Sequence, residues 1–227
     1  MPRFVHFLYF IPLALTAVIS LKAFRQSWPR AFQLFSIFII GSLLLEIFSI
    51  SWKLWIYKTP WWEYSQNNLW IYNLSYTPCY LFYFLFYYRA LDAGIIKRST
   101  FFAISSSFIV VSISNLIFFQ GLFKLDTYTI ITGNLGILFF SLHYFKQELQ
   151  KKVPVKVIKE PLFWISLGAF IFHTGSLPYF VCINHLSNNN MTLAVALFNI
   201  LLVLNFFLQT SYLIAFLCRT PYQKKFI

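Results

Sequence analysis

Charged side chains are scarce in this sequence and negative ones scarcer still: 11% of its 227 residues are Asp, Glu, Lys or Arg, and only 6 are acidic. Soluble domains carry about 25% charged residues, so the shortage excludes an ordinary water-soluble fold. Cysteine is nearly absent. Cys79, Cys182 and Cys218 show no C-x-x-C spacing and lie within or at the ends of apolar runs, which argues against a metal site or a disulfide framework. No two histidines stand at i, i+4 as an intramembrane zinc hydrolase would need, and Ser176, three residues after His173, lacks a Gly-x-Ser-x-Gly elbow. No lysine falls in the middle of the last apolar run, so a Schiff-base chromophore has no attachment point. Low-complexity segments are missing, and the first three runs do not repeat in the last three, as the halves of many transporters do.

What is present is apolar surface: 59% hydrophobic and 22% aromatic residues, with a mean hydropathy of +0.68. About 20 apolar residues cross a bilayer, and seven such runs predict spans over residues 4–21, 32–52, 69–88, 99–119, 127–145, 161–185 and 192–218. The expected fold is an all-α, polytopic seven-helix bundle forming a single domain, without space for a soluble catalytic or DNA-binding domain. The first run follows a single basic residue, Arg3, and precedes Lys22, Arg25 and Arg30, the reverse of a secretory signal, so it is expected to remain as a helix.

The formal charge of +12 belongs to loops rather than to a nucleic-acid surface. Lys22, Arg25 and Arg30 fill the first loop, Arg89, Lys97 and Arg98 the third, Lys146, Lys151, Lys152, Lys156 and Lys159 the fifth, and Arg219, Lys224 and Lys225 the tail. Only Arg3, Lys53, Lys58 and Lys124 lie on the other side. Basic residues accumulate on the cytoplasmic face, which predicts an inner-membrane protein with its N-terminus outside and its C-terminus in the cytoplasm. Between Lys53 and Asn68, Trp55, Tyr57, Trp61, Trp62 and Tyr64 predict a loop lying at the headgroup level.

Glu46 is the single acidic residue inside any of these runs. With Ser42, Ser49 and Lys53 it forms one narrow polar stripe at helical spacing. A carboxyl at that depth is costly and is retained for a role or for a partner. In the third run Asn73, Tyr76, Thr77 and Tyr80 share a face, and Pro78 frees the carbonyl of Leu74, predicting a kink. Thr127, Asn134 and Ser141 share another face beside Gly133 and Gly136, and Asn205, Gln209 and Tyr212 a third. At about 1.5 Å per residue, Glu46, Asn73 and Asn115 fall outward of their span centres, and Asn134, His173 and Asn205 near the midplane. The expected site is therefore an outward-opening polar pocket built from Glu46, Asn73, Tyr76, Asn115, Asn134, His173 and Asn205. The alternative for each Asn is a plain interhelical hydrogen bond.

Several segments together resemble an uncharacterised family of small seven-helix membrane proteins common in Bacteroidota. They are Tyr72-Asn-Leu-Ser-Tyr-Thr77, Ser114-Asn-Leu-Ile-Phe-Phe-Gln120, Ser141-Leu-His-Tyr-Phe145, Pro161-Leu-Phe-Trp-Ile165 with Gly168 and Gly175-Ser176, and Asn205. The likeness spans the second to seventh runs. It implies an acidic residue in the second, matching Glu46, and a sensory role, since some members are associated with histidine kinases. The second acidic residue often expected after the Tyr-Thr pair is here Pro78-Cys79, a departure from a paired-carboxylate mechanism.

The leading expectation is a non-enzymatic, receptor-like membrane protein without cofactor or metal. It would sense a small ligand or protons at Glu46 and signal through a separate cytoplasmic or membrane partner. The alternatives are a small proton-coupled transporter, with Glu46 as coupling carboxylate and hinges at Pro78 and Pro178, and a structural subunit of a membrane complex. A partner would dock on Lys146–Glu160, where Pro154 and Pro161 bracket a small apolar face of Val155, Val157 and Ile158.

Overall fold

A computed structural model of the chain describes residues 8–55, 59–60, 68–92, 94–151 and 157–218, and among these residues every regular element is helical. The helices are α1 (Phe10–Ser20), the short α2 (Lys22–Arg25), α3 (Arg30–Trp55), α4 (Leu69–Ala90), α5 (Arg98–Ser114), α6 (Thr127–Gln150), α7 (Pro161–Asn189) and α8 (Met191–Leu217). A π-helical turn, Asn115–Phe119, extends α5, and a 3-10 turn, Val157–Lys159, precedes α7. The aromatic loop residues Tyr57, Trp61, Trp62 and Tyr64, the segment with Pro154 and Val155, and the start of the first expected span fall outside the described residues.

Among the described residues four helices are long and apolar enough to cross a membrane: α3, α5 with its π turn, α7 and α8. Their exteriors carry Ile37, Leu44, Phe118 and Val203, each more than half exposed, while Ser36, Ser112, Ser166, His173 and Ser211 are buried. Water would penalise so much contiguous apolar surface. Hydrocarbon accepts it, and there the polar side chains turn inward to hydrogen-bond one another.

Six helices close a ring, each packed on the next: α3 on α1, α1 on α8, α8 on α7, α7 on α6, α6 on α4, and α4 back on α3. Helix α5 lies outside this ring against α4 and α6. The α4–α6 approach is set by Gly133 and Gly136, since a Cβ on the first would meet the Tyr80 ring and on the second the Phe84 ring. Behind them Phe84 packs on Phe140 and Phe108, with centroids 5.3 and 5.4 Å apart.

The basic turn expected around Arg25–Arg30 contains a core residue. Trp28 is 1% exposed and stacks on Phe216 of α8 at 5.7 Å, with Lys22 Nζ 5.4 Å from its ring centre. Lys22 Nζ also donates to the Cys218 carbonyl (3.1 Å), where a cation complements the C-terminal end of α8. A second difference lies between α7 and α8. The loop expected between the spans ending at residue 185 and starting at residue 192 is helical through Asn189, because Asn190 alone makes the turn. Its backbone leaves the helical region at φ −151°, and its side chain caps α8 by accepting from Leu193 N at 3.1 Å. Helices α4 and α7 both continue through their internal prolines, Pro78 and Pro178.

Candidate functional site

The ring encloses a cavity of about 200 Å³. Its walls come from α1 and the residue before it, α3, α4, α7 and α8. The polar stripe on α3 is the reason α3 contributes Ser42 and Glu46: with an apolar exterior facing outward, the only place for a carboxyl is the interior. Helix α4 presents Tyr72, Ser75, Tyr76, Cys79, Tyr80 and Tyr83, a run at i, i+3, i+4, i+7, i+8 and i+11 that makes one continuous face.

Glu46 is held by two phenols. Tyr9 and Tyr72 both donate to its Oε2, at 3.1 and 3.0 Å, and Oε1 receives no hydrogen bond from the described residues. These three residues are half-buried, whereas His173, Tyr83, Leu208 and Tyr212 are buried, so the Glu46 end is the accessible one. The Tyr83 and Tyr212 hydroxyls are bonded to each other at the far end. From Tyr72 to Tyr83 is eleven residues of helix, or about 16 Å at 1.5 Å per residue.

Between the two ends stands His173, fixed from behind by Asn134 of α6. The Asn134 Oδ1 accepts from His173 Nδ1 (2.7 Å) and from the Tyr80 hydroxyl (2.7 Å), and its Nδ2 donates to Ser176 Oγ (3.2 Å). Because a carbonyl oxygen only accepts, the Nδ1 of His173 carries the proton and Nε2 presents a bare lone pair. That Nε2 is buried and has no partner, and neither has the Oε1 of Gln209. The Gln209 amide reaches Asn205 Oδ1 at 3.4 Å, one turn away along the same helix.

Of the expected site residues, Glu46, Tyr76, His173 and Asn205 line this one cavity, and Asn134 stands behind it as the support of His173. Asn73 and Asn115 are occupied elsewhere. Asn73 Nδ2 donates to the carbonyls of Gly121, Leu122 and Lys124 at 3.4, 2.8 and 2.6 Å, anchoring the turn after α5 to α4. Asn115 donates to Gln120 Oε1 (2.9 Å) and to Asp126, a fully buried carboxylate that caps α6 by accepting from Thr129 N at 3.2 Å. Ser49, on the Glu46 stripe, accepts from Asn68 Nδ2 at 2.6 Å.

Tyr9, Tyr72 and Tyr83 line the site although the sequence reading does not single them out, and Gln209 and Tyr212, which it places only on a polar face shared with Asn205, line it too. For Tyr72 and Tyr83 the signal is present, since both share the helical face of Tyr76 and Tyr80. For Tyr9 there is none, because its partner lies 37 residues away. Among the described residues no group of three or more His, Cys, Asp or Glu side chains is close enough to hold a metal ion. Compared with family models, with curated proteins and with solved structures, the chain matches none.

Proposed function

We propose that the chain is a receptor-like, non-enzymatic protein of the inner membrane, built from seven spans with the N-terminus outside. Its cavity around Glu46 takes a small ligand, and its state is relayed to a separate partner on the cytoplasmic side. The observation that carries this proposal is the cavity itself: a carboxyl clamped by Tyr9 and Tyr72 at the accessible end, with the unpartnered Nε2 of His173 deeper inside. A buried polar atom without a partner costs about 1 to 3 kcal/mol. Such atoms occur elsewhere in the bundle too, but those of His173 and Gln209 are the two that line the cavity, where a ligand can satisfy them.

Three further spans are required beyond the four most apolar helices. Helices α4 and α6 have 22 and 24 residues, about 33 and 36 Å at 1.5 Å per residue, enough for a hydrocarbon core of about 30 Å. Their lower hydropathy reflects the tyrosines and asparagine turned toward the bundle interior. Helix α1 would complete the count together with the residues before Phe10.

Relay to a partner has a route through α7. His173 sits on this helix, and its first turn is tied to the 3-10 turn by Trp164 Nε1 donating to the Ile158 carbonyl at 2.8 Å. Ile158 itself is 67% exposed. Replacing Val157 and Ile158 together by Asp is expected to abolish a specific crosslinked product in native membranes while expression is unchanged. The same product from wild type and variant, or none from either, would contradict the receptor proposal. It would favour a small proton-coupled transporter instead, for which Pro78, inside the continuous α4 beside the cavity-lining Cys79, removes one helical hydrogen bond and supplies a hinge.

A further inference from the structure

Within the proposed binding cavity, on which this step rests, the balance of hydrogen-bonding groups is lopsided. The Tyr9 and Tyr72 hydroxyls are committed to Glu46, those of Ser42 and Ser75 to the Phe38 and Tyr72 carbonyls of their own helices at 2.9 and 2.8 Å, and that of Tyr80 to Asn134. The hydrogen-bond donors left over are all neutral: the Tyr76 hydroxyl, the Asn205 amide, the second N–H of the Gln209 amide, the weak Cys79 thiol and one proton of the Tyr83–Tyr212 pair. The acceptors left over are stronger and include the formally negative one. Glu46 Oε1 takes no hydrogen bond from the described residues, and the His173 Nε2 and Gln209 Oε1 are buried without any partner. Among the described residues no Lys, Arg or second acid lines the space.

We infer that the cavity is a site for a small organic cation, a protonated amine that also carries a second hydrogen-bond donor. Its charge goes to Glu46, among the rings of Tyr9, Tyr72 and Tyr76, and its donor end to His173 Nε2 or Gln209 Oε1. Aromatic faces attract organic cations through their quadrupole. A bare metal ion would instead need several converging oxygens, and this cavity offers one carboxyl. Size sets the other bound. A space of about 200 Å³ lies below the range of about 300 to 1,000 Å³ typical of drug-sized ligands.

The test uses the full chain in detergent micelles and three probes of one shape and three charges: tyramine (cation), tyrosol (neutral) and 4-hydroxyphenylacetate (anion). Tryptophan fluorescence during heating reads binding as a rise in Tm with probe concentration. Tyramine is expected to raise the Tm and to bind at least tenfold more tightly than either analogue, and Glu46→Gln to reduce its affinity to that of tyrosol. Should Glu46→Gln fail to accumulate, His173→Phe gives a second reading: tyramine binds about three- to tenfold more weakly, and the order of the three probes is kept. Equal or tighter binding of tyrosol or 4-hydroxyphenylacetate, or tyramine binding that ignores Glu46→Gln, would overturn the cation assignment and leave a ligand cavity standing. Binding by none of the three would overturn the assignment as well. The cavity then stands or falls separately on whether reagents reach Cys79.

Discussion

Asn134→Leu is expected to lower the stability of the folded bundle by about 2 to 4 kcal/mol, although the residue touches no ligand. One amide satisfies the Tyr80 hydroxyl, the His173 Nδ1 proton and Ser176, drawing together α4, α6 and α7. Leucine fills a similar volume and leaves two buried polar groups, the Tyr80 hydroxyl and the His173 Nδ1 proton, without partners, while Ser176 keeps its bond to the His173 carbonyl (3.3 Å). Each such group costs about 1 to 3 kcal/mol, while hydrogen bonds between membrane helices average about 0.6 kcal/mol, so a sum near the middle is expected. For a chain of this length, where 1 kcal/mol shifts the melting point by about 2 to 4 °C, the midpoint in micelles should fall by about 5 to 15 °C. The comparison is Asn205→Leu. It removes one 3.4 Å contact within a single helix and should cost under about 1 kcal/mol. Equal losses from the two variants would show that Asn134 is not the hub described here.

The second large effect is steric. Gly136→Val places a branched side chain where the Phe84 ring now lies. Neither partner has slack: Phe84 is fully buried and packs on Phe140 and Phe108. Helices α4 and α6 must separate, which strains the Tyr80–Asn134 bond and the Tyr87–Ser141 bond (3.0 Å) along the same seam. Overpacking of this kind typically costs about 1 to 3 kcal/mol, occasionally more, and the loss of two hydrogen bonds adds to it. Little folded protein should elute at the wild-type position in size-exclusion chromatography. Gly41→Val is the control, because a Cβ there meets nothing within 4 Å, and it should behave as wild type.

Much of this arrangement is legible in helical spacing, and the reason is the solvent. In hydrocarbon a polar face has nowhere to point except inward, so Asn73, Tyr76, Thr77 and Tyr80 identify the inner face of α4, and Thr127, Asn134 and Ser141 that of α6. Each of these finds a protein partner or the cavity. What spacing does not contain is the identity of the partner. Asn73, Asn115 and Asn134 have the same chemistry, yet only the last serves the cavity. The first two are captured by the chain between α5 and α6, whose path depends on Gly121 with φ 69° and on the buried Asp126. The pairing of Tyr9 and Tyr72 with Glu46 is opaque for a different reason: a tyrosine near the end of a span is equally at home at the headgroup level, so even the helical face of Tyr72 does not name its partner. Only the meeting of α1, α3 and α4 turns these two toward Glu46.

Reagent access to Cys79 tests the cavity directly. This cysteine lines the space, and Cys182 and Cys218 can be replaced by Ser to leave it as the sole thiol. A membrane-impermeant methanethiosulfonate bearing a trimethylammonium group, applied to intact cells, is predicted to modify Cys79, and Ser75→Trp, which fills the same space, to slow the reaction at least tenfold. Modification only after permeabilisation would reverse the proposed orientation. A Cys79 that stays unmodified from both sides, yet reacts fully once the protein is denatured, would contradict an accessible cavity around Glu46.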